Sequence, residues 1–372
     1  MSHLTRQFFA GNRAALRAKI EADGPVVVAA HGRLQRSADT TYPFSQNRNF
    51  WYLTGIDEPD LVLVITRTTS YIILPPSDAV RDLFDGAVDT AMVKKQSGVD
   101  EIFAHREGWE HLKTQVQEAR YVHLELTGPP YSAHHSLYVN PAKKRLHEKL
   151  QRIAGSAKLR DIRPHLQQMR SIKQSEEVAA IRKATQITTA TLDELRGHAQ
   201  LSSFKTEYEL EAAIGAGFRR RGATGHAYTP IVASGAHATT LHYVANTGKL
   251  DSHELVVVDV GAEVDNYAAD VTRTISKSKP SMRQMQVYDA VHDVQQTAQS
   301  LLKPGIFLRE YEEAVCLAIG KQLVKLGLSS DASDMATIRR YYPHATSHFL
   351  GLDVHDVGDY NQPLAPGMVL TC

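Results

Sequence analysis

The chain has 372 residues, and its 42 Lys and Arg side chains against 41 Asp and Glu leave a formal net charge of +1. This length exceeds one ordinary hydrophobic core and predicts two domains. The charge balance provides no general field for attracting nucleic acid or an anionic membrane, so neither partner is expected. The only cysteines, Cys316 and Cys372, exclude a disulfide framework, and the amino-terminal segment lacks a long apolar run, so a cytoplasmic protein is predicted.

The first part of the chain, residues 1–168, is predicted to form an α/β domain. A helical pattern extends to about Ile20, and helical patterns also separate some of the apolar segments that follow it. Such an alternation is typical of helices layered on a sheet. The segments with strand character are 26–30, 61–66, 71–74 and 121–126.

A second domain, residues 169–372, is predicted to follow the boundary segment RDIRPHLQQMRSIKQSEEV. Ser175 is a candidate helix cap, with Glu177 in the first turn, where the helix dipole favours acidic side chains. The capping-box signatures of two later helices are Thr206 with Glu209 and Ser281 with Gln284. The interleaved segments with strand character are 229–233, 255–263 and 267–275. The second domain is therefore predicted to be α+β with an antiparallel hairpin.

Two aspartates in the hairpin LVVVDVGAEVDNYAADVTRT are the most informative feature of the chain. If the loop is Val264–Asp265, Asp259 faces Asp270 across the ladder, with their Cβ atoms about 5 Å apart. Like charges placed opposite each other destabilise a sheet, and a buried pair needs neutralisation, which one or two divalent cations would supply. The alternative is a solvent-facing hairpin with two hydrated aspartates. A one-residue slip in the turn would move one carboxylate to the other face.

Four histidines are further candidates. His344, His348 and His355 lie in the run YYPHATSHFLGLDVHDVG, and His242 ends a short strand-like stretch in YTPIVASGAHATTLHY. Histidine is a common nitrogen ligand of metals and the usual acid or base near neutral pH. The chain has 18 histidines, so each of the four is alternatively an ordinary hydrogen-bonded residue.

Together, VVVDVGAEVDNYAADVTRT, SHFLGLDVHDVG and IVASGAHATTLHY resemble the catalytic motifs of aminopeptidase P, the Xaa-Pro aminopeptidase family of dinuclear metallopeptidases with the pita-bread fold. RSADTTYPFSQNRNFWYLTGIDEPDLVLVI resembles the family's N-terminal domain, and MRSIKQSEEVAAIRKATQIT resembles its domain junction. The resemblance implies an α/β N-terminal domain and an α+β pita-bread (creatinase/aminopeptidase-like) C-terminal domain. It also implies a metal-dependent exopeptidase that releases the first residue from peptides with proline in second position.

The resemblance implies two divalent metal ions, with Mn²⁺ expected. It makes Asp259 a ligand of one ion, Asp270 a bridging ligand and His348 the nitrogen ligand of the other ion. A carboxylate-rich set with one imidazole suits Mn²⁺ better than a thiolate site would, and neither cysteine lies in these motifs.

The resemblance also assigns roles around the substrate. His242 and His355 match histidines that hold the substrate and stabilise the tetrahedral intermediate. His344 matches a histidine that lines the proline pocket, and Tyr228 matches a tyrosine near the metals. Peptide bonds to proline are tertiary amides, so a site for them must accept the ring and the missing N–H.

One departure from the family lies at PLAPGMVLTC, where the family continues with Glu-Pro-Gly. That glutamate is a metal ligand and proton shuttle in the family, and a second ligand glutamate lies farther on. The pita-bread domain is therefore expected to be truncated. A polypeptide that stops at Cys372 is expected to be inactive, nearly metal-free and prone to self-association.

Two other functions remain open: a non-catalytic pita-bread homologue that binds peptides or proteins, and a proline dipeptidase of the same fold. The two aspartates and His348 speak against the first, and the serine before His348 favours aminopeptidase P over the second. A homodimer or homotetramer is expected, because Trp51 and Tyr52 lie in a domain that the family uses for subunit contacts and aromatic residues are enriched in interface cores.

Overall fold

The computed structural model describes residues 4–20, 23–126, 132, 134, 136–155 and 158–372. The chain divides into two compact units, Met1–Met169 and Arg170–Cys372, and the helix Arg163–Ser171 crosses the division. Within the described residues, none of the helices combines the length and the apolar character that a membrane span requires.

The first unit is built on a mixed six-stranded sheet with the strand order β6-β5-β4-β1-β7-β8. Its strands are β1 (Val26–Ala29), β4 (Val62–Ile65), β5 (Ser70–Ile73), β6 (Glu101–Phe103), β7 (Val122–Leu124) and β8 (Leu159–Asp161), and a separate ribbon contains β2 (Gln35–Ser37) and β3 (Thr40–Thr41). The helices are α1 (Arg6–Lys19), α2 (Arg48–Thr54), α3 (Ala79–Asp85), α4 (Thr90–Ser97), α5 (His105–Glu118), α6 (Ala142–Ala154) and α7 (Arg163–Ser171). Each predicted strand segment of this domain overlaps a strand of the sheet.

The aromatic residues of α2 belong to the core of the first unit. Trp51 is 4% exposed and Tyr52 is 1% exposed. Their rings meet Phe9 and Phe8 edge-on, with centroid distances of 5.5 and 6.0 Å. Both side chains are therefore buried within their own unit, and they give no support to the expected homodimer or homotetramer.

The second unit has two three-stranded sheets, with the orders β10-β11-β14 and β13-β12-β9. Its strands are β9 (Gly225–His226), β10 (Ile231–Ser234), β11 (Leu255–Val260), β12 (Ala262–Val264), β13 (Tyr267–Ala268) and β14 (Val271–Ser276). Its helices are α8 (Ser175–Leu195), α9 (His198–Ser203), α10 (Glu207–Arg220), α11 (Met282–Leu301), α12 (Leu308–Lys325) and α13 (Met335–Tyr341).

Helix starts were predicted correctly at two of three places. The predicted capping boxes at the starts of α10 and α11 are confirmed. At the start of α11, the N–H of Gln284 donates to Ser281 Oγ at 3.2 Å. The cap of α8 is Gln174, whose N–H donates to Glu177 Oε2 at 2.9 Å, so Ser175 is the first helical residue instead of the cap. The prediction failed because the reciprocal bond of a capping box requires the acid three residues after the cap.

Strand β11 separates the core of the second unit from the face that carries Asp259. Val256, Val258 and Val260 are fully buried against α8 and α10, whereas the alternate residues, including Asp259, are half-buried. Side chains of a strand alternate between its two faces. The apolar alternation therefore directs Asp259 away from the helices.

The hairpin closes with a different register from the predicted one. Its loop is Asp265–Asn266, with φ of +49° and +62°, and Val264 pairs with Tyr267. Asp259 consequently pairs with Thr272, so the predicted direct pairing with Asp270 is wrong. Two-residue hairpin loops that match the twist of their strands need positive φ at both positions, which Asp and Asn tolerate and a β-branched valine does not.

Candidate metal centre and active site

Tyr228 holds the two aspartates together. Its hydroxyl lies 2.6 Å from Asp259 Oδ1 and 3.1 Å from Asp270 Oδ1. A single hydroxyl can reach both carboxylates only if they open into the same space. The two side chains therefore converge as expected, although Asp270 lies diagonally from Asp259 instead of opposite it.

A glycine makes this convergence possible. A Cβ atom at Gly261 would lie 1.8 Å from the carbonyl oxygen of Ala269 and 2.9 Å from the ring of Tyr228. Real Cβ atoms do not approach other atoms so closely, so any other residue would push the two strands apart. The Gly261 carbonyl also accepts the N–H of Ala227 at 2.8 Å, which anchors the segment that carries Tyr228.

The electrostatics of the pair favour a bound cation. Burial raises the pKa of Asp259, the Tyr228 hydroxyl lowers it, and the neighbouring Asp270 raises it, with a net upward shift. Burial and the two carboxylates also raise the pKa of Tyr228, which therefore stays a neutral hydrogen-bond donor. Two adjacent, partly desolvated carboxylates repel each other, and a divalent cation between them would remove that cost.

His348 adds a nitrogen to the same space. Its Nε2 lies 3.2 Å from Asp270 Oδ2, and its Nδ1 lies 3.0 Å from the carbonyl oxygen of Phe349. Because a carbonyl only accepts, Nδ1 carries the proton and Nε2 is directed at the carboxylates, the arrangement usual for a histidine ligand. Burial lowers the pKa of His348, but the hydrogen bonds to Asp270 and Phe349 and the nearby carboxylate charges together outweigh it, so the net shift is upward.

The donor set fits a divalent cation. Two carboxylates and one imidazole suit hard and borderline ions, and Asp259, Asp270 and His348 are the residues that would hold them. In the described ranges, no three His, Cys, Asp or Glu side chains stand close enough to enclose an ion by themselves. Further donors would therefore complete the coordination.

His355 packs directly against His348. Their ring centroids are 4.0 Å apart, with an angle of 37° between the planes. Burial, followed by the proximity of His348, lowers the pKa of His355, so it is a neutral imidazole at neutral pH. A neutral ring beside the carboxylates is suited to donate a hydrogen bond to a substrate oxygen.

The remaining two histidines both lie in exposed segments. His242 lies in an exposed turn after the 3₁₀ helix Gly235–Thr239, not at the end of a strand. It is near enough to act electrostatically on both Asp259 and His355. His344 lies in an exposed loop against the ring of Tyr342, with a centroid distance of 5.4 Å, and is not among the side chains that meet around Tyr228.

A buried ion cluster behind His355 was missed in the sequence. Asp356 accepts from Arg170 Nη2 at 2.5 Å and from Lys173 Nζ at 3.0 Å, and Arg170 also reaches Asp353 at 2.8 Å. Lys173 and Asp356 are both almost fully buried. The only available signal was the pair of basic residues in MRSIKQ and the acids flanking His355, which nothing in the sequence connects.

Comparison with known proteins identifies the family. Residues 179–372 match metallopeptidase family M24, and residues 9–123 match the aminopeptidase P N-terminal domain. The chain is 34% identical to the Xaa-Pro aminopeptidase of Escherichia coli (strain K12) over 389 residues, which cover 100% of this chain and 87% of the relative.

Solved structures agree with these matches. A putative aminopeptidase P from Bacillus anthracis superposes with a TM-score of 0.87 at 27% identity, covering 98% of this chain and 87% of that one. Zinc-substituted E. coli aminopeptidase P in complex with product superposes with a TM-score of 0.85 at 32% identity, covering 99% and 86%.

The chain belongs to metallopeptidase family M24. Within that family, the matches to both parts of the chain place it with aminopeptidase P. Its fold is accordingly an α/β N-terminal domain followed by an α+β pita-bread domain, as the sequence motifs predicted. Membership also makes it a peptidase that depends on divalent metal, in agreement with the donor set around Tyr228.

Proposed function

We propose that the protein is an Xaa-Pro aminopeptidase, a metal-dependent exopeptidase that releases the first residue of peptides with proline in second position. The observation that carries the proposal is the convergence of Asp259 and Asp270 on the Tyr228 hydroxyl, with His348 Nε2 beside Asp270. It occurs in a chain that resembles Xaa-Pro aminopeptidases over its whole length. Residues 169–372 would form the catalytic domain.

Three residues would hold the metal. Asp259 would bind one of two divalent ions, Asp270 would bridge them, and His348 would bind the other through Nε2. When bound, such ions polarise a carbonyl and lower the pKa of water, which supplies the nucleophile. The carboxylate-rich donor set supports Mn²⁺ as the metal; a relative has been solved with zinc, so the metal content must be measured.

The other four residues would act on the substrate or on the metal ligands. His355, neutral and packed against His348, would donate a hydrogen bond to the oxygen that becomes negatively charged, and His242 would approach the same group from its exposed turn. Tyr228 would orient the two aspartates. His344 would contribute to the proline pocket from its exposed loop.

We also propose a cytoplasmic location and a homodimeric or homotetrameric assembly. The location is supported by two free thiols, buried Cys316 and exposed Cys372. The assembly rests on the family resemblance alone, now that Trp51 and Tyr52 are known to be core residues. Light scattering at micromolar concentration tests it, and a monomeric mass would contradict it.

A polypeptide of residues 1–372 by itself is proposed to be nearly metal-free and inactive. The reason is the number of donors: two carboxylates and one imidazole do not enclose an ion in the described part of the chain. Stoichiometric manganese together with normal turnover in that polypeptide would contradict the proposed ligand set.

The proposed function is tested with the protein as its gene encodes it, supplied with Mn²⁺. We expect release of the first residue from an Xaa-Pro-Pro peptide, little hydrolysis of the matched Xaa-Ala-Ala peptide, and loss of activity in Asp259→Asn. Asp289→Asn, an exposed aspartate on α11, is the control. Cleavage restricted to Xaa-Pro dipeptides would indicate a proline dipeptidase, and binding without hydrolysis would indicate a peptide-binding homologue.

A further inference from the structure

The loop that carries His242 is closed by one buried carboxylate. Glu207, the first residue of α10, is fully buried. Its Oε1 accepts the N–H of Ser234 at 2.8 Å, and its Oε2 accepts the N–H of Gly248 at 2.6 Å. These two residues are the ends of the loop, so a single side chain joins its entry to its exit.

The same carboxylate holds two rings from inside the loop. His237 Nδ1 lies 2.9 Å from Oε1, and the Tyr243 hydroxyl lies 2.8 Å from Oε2. The two rings stack on each other, with centroids 4.4 Å apart and planes 23° apart. Because an ionised carboxylate only accepts hydrogen bonds, both rings donate. We call Glu207, Ser234, His237, Tyr243 and Gly248 the Glu207 clamp.

The clamp leaves no spare room. A Cβ atom at Gly248 would lie 2.7 Å from His237 Nδ1 and 2.9 Å from Glu207 Cδ. Burial would raise the pKa of Glu207, but hydrogen bonds from His237, Ser234 and Gly248 outweigh it and lower the pKa, so the carboxylate is ionised at neutral pH. Its position in the first turn of α10 also suits a negative charge.

The residue next to the clamped Tyr243 is His242. His242 itself is exposed, and the loop that carries it begins at the end of β10, whose Ile231 pairs directly with Asp259. An exposed loop of this length loses considerable conformational entropy when it is held in one geometry, and a misplacement of 1 Å at a reacting centre can cost about 100-fold in rate. Some group must therefore hold the loop in place.

We propose that Glu207 is a positioning residue that holds His242 in place for the reaction, by joining both ends of the 234–248 loop and fixing the stacked pair inside it. The proposal rests on the proposed function for its catalytic part. The clamping of the loop stands apart from the reaction and can be measured without substrate.

The informative variant is Glu207→Gln. An amide has one oxygen, so its NH₂ group must face the N–H of either Ser234 or Gly248, and neither backbone group can accept from it. The side chain keeps its shape while one end of the loop is released. Tyr243→Phe is a milder variant that removes one bond to Glu207 and retains the ring stack. Glu313→Gln, on the exposed side of α12, is the matched control.

Two measurements on the Mn²⁺-loaded protein, as its gene encodes it, decide the proposal. Hydrogen exchange across residues 235–247 should accelerate in Glu207→Gln, less in Tyr243→Phe and not in the control, while exchange in β11 stays unchanged. On an Xaa-Pro-Pro peptide, Glu207→Gln should lower kcat by about 100-fold, with a smaller effect on KM. In a protein that already carries His242→Ala, Glu207→Gln should lower kcat by less than about threefold. The effects of two substitutions are not additive when one residue acts through the other.

Unchanged exchange in Glu207→Gln would overturn the clamp. If exchange is faster but Glu207→Gln lowers kcat by the same factor with and without His242, Glu207 does not act through His242. If the unsubstituted protein cleaves no Xaa-Pro peptide, the proposed function fails, and the exchange measurement alone then accepts or rejects the clamp.

Discussion

The hydroxyl of Tyr228 lies 2.6 Å from Oδ1 of Asp259, a residue of β11 that is 31 positions farther along the chain. The same oxygen reaches Asp270 at 3.1 Å. A phenol that stays neutral beside two carboxylates orients both without adding a third charge. Tyr228 is thus expected to organise the metal ligands without replacing one of them.

Tyr228→Phe is expected to weaken Mn²⁺ binding by about 10–100-fold, the usual cost of losing a partner that orients metal ligands. The ring is retained, so the packing around Gly261 should not change. Calorimetric titration of the metal-free protein with Mn²⁺ measures the effect. Tyr288→Phe, on the exposed side of α11, should bind Mn²⁺ like the unsubstituted protein; equal affinities for both variants would contradict this role.

His355→Ala and His348→Ala should separate catalysis from metal binding. Loss of His355, which is assigned to the substrate oxygen, should lower kcat by about 100–1000-fold with manganese content unchanged. Loss of His348 should reduce manganese content together with activity. Metal analysis and steady-state kinetics on the same preparations test both, and manganese loss in His355→Ala would show that the assigned roles are wrong.

The ion cluster of Arg170, Lys173, Asp353 and Asp356 should control the stability of the second unit. Its charges balance, and Asp356→Asn would leave an uncompensated buried cation at a cost of about 3–5 kcal/mol. Adding Lys173→Met restores neutrality, so the double variant should be more stable than Asp356→Asn alone.

Urea unfolding followed by circular dichroism measures this series. Asp289→Asn serves again as the exposed control and should unfold like the unsubstituted protein. A double variant less stable than the single one would mean that Lys173 stabilises the fold by packing and not by its charge.

Glu177 should make stability fall as pH rises. Burial raises its pKa above the ordinary value of 4.5, although bonds from Gln174 and Tyr267 and the charge of Lys173 partly offset it. The folded state therefore binds the proton more tightly than the unfolded state. This contribution is fully present below pH 4.5 and is lost as the pH rises through the raised pKa.

Glu177→Gln removes that dependence and keeps both hydrogen bonds, since the amide can accept from Gln174 N–H and donate to the Tyr267 hydroxyl. The stability of the variant relative to the unsubstituted protein should increase from pH 4.5 upward and then level off. Parallel urea unfolding between pH 4 and pH 7 measures it, at intervals of about half a unit. Identical pH profiles would contradict the raised pKa.

Features that depend on residues a few positions apart could be predicted from the sequence. The capping boxes at Ser281 and Thr206 require only an acid or amide three residues later. The alternation of side chains in β11 places Val258 and Asp259 on opposite faces of the strand. The prediction of Ser175 as the cap failed because the neighbouring Gln174 also has a side chain that can accept a hydrogen bond from the backbone. The reciprocal hydrogen bond from the N–H of Gln174 to Glu177 determines that Gln174 is the cap.

The hairpin register is set by turn preference and by packing together. A β-branched valine does not tolerate the positive φ of the loop, which favours Asp265–Asn266 over the predicted Val264–Asp265. The observed register buries Tyr267 completely and brings its hydroxyl 2.8 Å from Glu177 on α8. Packing against a distant helix therefore supports the turn that the structure adopts.

The chemical types of the site, two aspartates and several histidines in recognisable motifs, were determined by the amino-acid sequence because each motif is a short contiguous run. Their arrangement was decided only by the tertiary structure. Arg170 and Asp356 are 186 positions apart, and Glu207 and Gly248 are 41 apart. Contacts over such separations depend on how whole helices and strands pack, and no local spacing in the chain specifies them.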